Sequence, residues 1–71
     1  MVNITRLKNT INDSGMTMTA IANKSGILKE TLYNRFRGVG EFTASEILAL
    51  SDVLSITNEE RERIFFDREG E

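Results

Sequence analysis

Residues 18–38 read MTAIANKSGILKETLYNRFRG, and this stretch decides the fold. Ala22 stands in the middle of its first half, Gly26 follows four residues later, and Ile27 and Leu32 come next. Two short helices that cross steeply need a small side chain at closest approach, which Ala22 supplies. The tight turn between them needs a positive φ, which Gly26 adopts at no steric cost. Ile21, Ile27 and Leu32 then point into one core. The spacing predicts a helix over 18–25, a turn at Gly26, and a second helix over 28–37 that stops at Gly38.

Working outward, Ile4, Leu7 and Ile11 recur at helical spacing and predict a first helix ending at Gly15. Thr17 is placed to cap the next helix. Met16, just before that cap, stands at hydrophobic-staple spacing from Ile21. Downstream, Gly38-Val39-Gly40-Glu41-Phe42 reads as a loop. Thr43-x-x-Glu46 and Thr57-x-x-Glu60 are capping boxes that open two more helices. The fourth carries Ile47, Leu50 and Leu54 on one stripe, and the fifth carries Ile64, Phe65 and Phe66. No segment shows convincing period-2 alternation. The expected fold is all-α: five short helices in a single domain over residues 1–66, with a polar, fraying tail over 67–71.

Seventy-one residues make about one small domain, which hides only roughly 60% of its unfolded surface. Neither Cys nor His occurs. Disulfides, thiolate chemistry, the commonest zinc sites and the usual base near neutral pH are therefore excluded. No spaced carboxylate pair suggests a catalytic pocket, so an enzyme is not expected, and neither a cofactor nor a metal is implied. The longest apolar run, Ile47 to Leu50, is far short of the roughly 20 residues that span a bilayer. No membrane association is expected, and a soluble intracellular protein is the default.

The net charge of −2 hides a strong polarity. Residues 1–40 hold six bases against two acids, a net of +4, whereas residues 41–71 hold three bases against nine acids, a net of −6. Such a division points to one cationic working face and an opposite solvated end. Two helices joined by the Gly26 turn form a helix-turn-helix, which presents its second helix to the DNA major groove.

On Ala22, Gly26, Ile27, Leu32, Gly38 and the run Phe42-Thr43-Ala44-Ser45-Glu46, the chain resembles the phage repressor/Cro-type (XRE-like) helix-turn-helix family. The resemblance covers nearly the whole chain: one helix before the motif, two in it and two after. It departs at Met18, where relatives commonly have Gln, at Leu28, where Ser or Thr usually caps, and at Arg35, usually apolar. The resemblance implies a lambda-repressor-like DNA-binding domain. It further implies that Lys29, Glu30, Tyr33, Asn34 and Arg37 lie nearest the bases or the backbone.

Helical geometry agrees. About 100° per residue puts Leu28 and Phe36 about 40° to either side of Leu32, forming a core stripe. Tyr33, Arg37, Glu30 and Asn34 look away from it. Lys can donate to guanine, Asn can bond bidentately to adenine, and Glu can accept from cytosine. Tyr33 suits a phosphate or a thymine methyl, and Arg37, near the helix end, suits a phosphate. Each also has a bland reading as solvated surface, and Arg35 one as the structural partner of a later acid. Thr17, Met18 and Thr19 stand either as a simple cap or as a helix N-terminus that meets a phosphate, and Leu28, at the head of the second helix, is counted with the DNA-contacting residues.

In the acidic half, adjacent Phe65 and Phe66 point about 100° apart, so one core does not easily take both together with Ile64. Ile64, Phe65 and Phe66 are thus candidates for a dimer or partner contact, the alternative being that both rings pack beneath the 38–42 loop. Two functions remain open. The first is a repressor/Cro-like transcriptional regulator that binds operator DNA as a homodimer, in a bacterial or phage-infected cytoplasm. The second is an interaction module on the same fold, such as an antirepressor that binds another phage regulator. Leu28, Met18 and Tyr33 would then form its apolar patch.

Overall fold

The computed structural model describes residues 2–67, and every regular element among them is helical. The five helices are α1 (Ile4–Ser14), α2 (Met18–Ser25), α3 (Lys29–Phe36), α4 (Ala44–Leu54) and α5 (Asn58–Phe65). Four of the five start on a side-chain cap. Asn3 accepts from the Arg6 N–H, Thr17 from Ala20, Thr43 from Glu46 and Thr57 from Glu60. The last two are complete capping boxes, because Glu46 and Glu60 reach back to accept the N–H groups of Thr43 and Thr57. The exception is α3, where Leu28 stands at the N-cap and makes no side-chain cap bond.

Gly26 ends α2 in the left-handed conformation at φ 76°, and its N–H donates to the Ala22 carbonyl at 2.9 Å. The chain thereby turns directly from α2 into α3. Leu7, Ile21, Leu32 and Leu50 are wholly buried. Together with Ile11, Ala22, Ile64 and Phe65 they form one core, which Met16, Ile27, Phe36 and Phe42 flank. Phe42, in the loop before α4, bridges Phe36 and Phe65, its ring 6.4 Å from the first and 5.4 Å edge-on to the second. These rings tie the end of α3 to the end of α5.

Three expectations need correction. Helix α3 is shorter at both ends than 28–37, with Leu28 and Arg37 as its caps. Leu28 is therefore no part of the core stripe but 75% exposed, because a residue outside the helical backbone does not follow the helical angle. Asp67, assigned to the fraying tail, is held: Asn3 donates its Nδ2 to Asp67 Oδ2 at 2.7 Å and its N–H to the Ile64 carbonyl at 2.6 Å. Residues 68–71 of that tail lie outside the described residues. Finally, Ile64 and Phe65 are buried in the core, so of the three proposed contact residues only Phe66, 49% exposed, faces solvent.

Candidate nucleic-acid interface

The side of α3 away from Leu32 carries the chemistry. Lys29, Glu30, Tyr33 and Arg37 are exposed, and Asn34 is half-buried beside them. Leu32, wholly buried, fixes which side that is, since a helix rotates as one body around its anchored stripe. Arg35, two residues before the C-cap, turns the other way. Its Nε donates to Glu46 Oε1 at 3.2 Å, its Nη2 to Glu46 Oε2 at 3.3 Å, and its Nη1 to the Val39 carbonyl. Arg35 thus joins α3, the following loop and α4, as the structural partner of a later acid. Partial burial raises the Glu46 carboxyl, but the Thr43 N–H and then the Arg35 guanidinium outweigh it and hold the group below its ordinary value.

Five of the expected site residues line two separate grooves, and Thr17, Glu30, Asn34 and Arg37 line neither of them. Met18 and Tyr33 line the first, with Lys8, Asn9 and Asn12 of α1, Met16 and Phe36. Thr19, Leu28 and Lys29 line the second, between α2 and the head of α3, with Asn23 and Ile27. Leu28 lines a groove separate from the one that Met18 and Tyr33 share. Thr17 is occupied as a cap, its Oγ1 accepting the Ala20 N–H at 3.1 Å. Lys24, beside the turn, sends its ammonium back to the Met16 sulfur at 3.7 Å. Lys8, Asn9, Asn12 and Asn23 were not among the expected residues. Their adjacency to the site depends on how the helices cross, which no local pattern reveals.

One contact changes how the C-terminal turn of α3 reads. The Arg37 guanidinium Nη2 donates to the side-chain oxygen of Asn34, a hydrogen bond across one helical turn. The Asn34 main-chain carbonyl accepts the N–H groups of Arg37 and Val39 at 3.1 and 2.8 Å. No family model, curated protein or solved structure matches the chain. Among the described residues, no helix is long and apolar enough to cross a membrane.

Proposed function

We propose that the protein is a sequence-specific DNA-binding regulator of the repressor/Cro helix-turn-helix kind. It inserts α3 into the major groove of an operator and binds as a homodimer. The observation that carries this reading is the face of α3 turned away from the buried Leu32, where Tyr33 and Arg37 are exposed and Asn34 is half-buried, with the exposed Lys29 in the first turn. Lys29 and Arg37 are cations with no acid paired to them among the described residues, whereas the inward-turned Arg35 is neutralised by Glu46. Phosphates attract such free cations, and their donors match base-edge acceptors. Half-exposed Phe66 is the residue left to support self-association, which would set two α3 helices about 34 Å apart along the DNA.

A second reading has one specific observation behind it. Leu28, 75% exposed at the head of α3, suits an apolar protein contact better than a phosphate. On that reading the protein is an interaction module that binds another phage regulator. Selection of the full chain against random duplexes of about 30 base pairs, roughly three helical turns, decides between them. Enrichment of a two-fold symmetric site, lost in Lys29→Ala, supports the DNA reading. No enrichment at low salt overturns it.

A further inference from the structure

Resting on the DNA reading, we infer that Asn34 and Arg37 act as one donor-rich unit that selects guanine and disfavours adenine. Asparagine alone suits adenine, since its amide accepts from N6 and donates to N7. Here the amide is already committed. A guanidinium has only donors, so the Asn34 atom that faces Arg37 Nη2 is its oxygen, and Nδ2 points away. The Asn34 main-chain carbonyl is taken as well, by the N–H groups of Arg37 and Val39.

The unit therefore offers N–H groups from Asn34 Nδ2 and from the rest of the guanidinium. Guanine presents two acceptors in the major groove, N7 and O6, and meets donors at both. Adenine presents N7 and a donating amino group. The oxygen of Asn34 keeps a second lone pair, but an adenine amino group that seeks it must come up beside a cation, donor against donor. The same place attracts guanine O6. Arg37, exposed and making its side-chain hydrogen bond to Asn34, is thus a positioning residue for the Asn34 amide as well as a donor itself.

The test uses duplexes selected by the full chain. The base pair read by the unit is the one whose preference collapses in Asn34→Ala. At that pair the wild-type chain should prefer guanine to adenine by about tenfold or more in affinity. Arg37→Met frees the Asn34 oxygen and should move the preference toward adenine, with the melting temperature confirming that the variant is folded. Replacing the guanine by 7-deazaguanine, which lacks the N7 acceptor, needs no variant and should weaken wild-type binding about fivefold. Adenine preferred by the wild type, guanine preference unchanged in Arg37→Met, or indifference to 7-deazaguanine overturns the inference. An enriched site at which Asn34→Ala alters no base preference overturns it too, leaving DNA binding intact and these donors to phosphates. Absence of any enriched site instead removes the DNA reading beneath it.

Discussion

Arg35 and Glu46 form a two-pronged ion pair, Nε to Oε1 at 3.2 Å and Nη2 to Oε2 at 3.3 Å, and the same Oε1 accepts the Thr43 N–H at 3.0 Å. One carboxylate thus caps α4 and holds the end of α3. The two side chains are only 19% and 16% exposed, so this pair is shielded more than a surface ion pair. Glu46→Ala removes the capping partner and strands the guanidinium. It should destabilise the fold by about 1–3 kcal/mol, read by urea titration.

The sign of the pH response follows from the same carboxylate. Glu46 is held below its ordinary value of 4.5, and Glu60 is lowered too, by the Thr57 N–H and hydroxyl and the Arg63 charge. A group lowered in the folded state contributes stability above its unfolded value, which is lost as pH falls through the folded one. The melting temperature should hold from neutral pH down to about 5 and then fall as these groups protonate. Glu46→Gln should flatten that fall, and an unaltered profile in the variant would remove Glu46 from the account.

Gly40 lies under the Arg35 guanidinium. Its φ is +75°, and an added Cβ would collide with Arg35 Nη1, whereas at Gly38, with φ +84°, a Cβ meets nothing within 4 Å. Both alanine substitutions carry backbone strain of about 1 kcal/mol or more. Gly40→Ala should cost more, because it also pushes Arg35 off Glu46. The excess should vanish in an Arg35→Met background, a double-mutant cycle measured by thermal melting.

Leu28 at the head of α3 gives a trade-off to measure. Its backbone is extended, φ −61° and ψ 137°, and its side chain caps nothing. Leu28→Ser supplies the missing acceptor and should stabilise by about 0.5–1 kcal/mol, roughly 2–8 °C in melting temperature for a domain of this size. If an apolar contact at Leu28 is the functional one, the same variant loses its partner while gaining stability.

Phe65 and Phe66 should behave oppositely despite being neighbours. Phe65 is 2% exposed and edge-on to Phe42. Phe65→Ala should cost about 3–5 kcal/mol, a large share of the stability of so small a domain. Phe66→Ala should cost far less and should weaken self-association in sedimentation equilibrium.

How much was legible in the chain depends on how local each cause was. The bounds of α2, both capping boxes and the Gly26 turn follow from residues within four positions of one another, and all of them stand. The pairing of Arg35 with a later acid was one of two open readings, and a cation near the core edge needs such a partner. Leu28 was misplaced because an angular projection does not hold at a cap. Whether Phe65 or Phe66 turns inward rests on how α5 meets Phe42, far away in sequence. The Asn34–Arg37 bond joins residues only three apart, yet nothing in the sequence says that the amide oxygen spends itself there rather than on a partner.

The most direct test of the central claim is the affinity of the full chain for its selected duplex, measured from low to physiological salt. A DNA-binding α3 face predicts that log K falls linearly with log salt, with a slope of about −0.9 for each phosphate neutralised. Lys29→Ala should lower affinity and relax the sequence preference. Affinity that ignores salt, or that is unchanged in Lys29→Ala, would contradict the account and point to a protein partner instead.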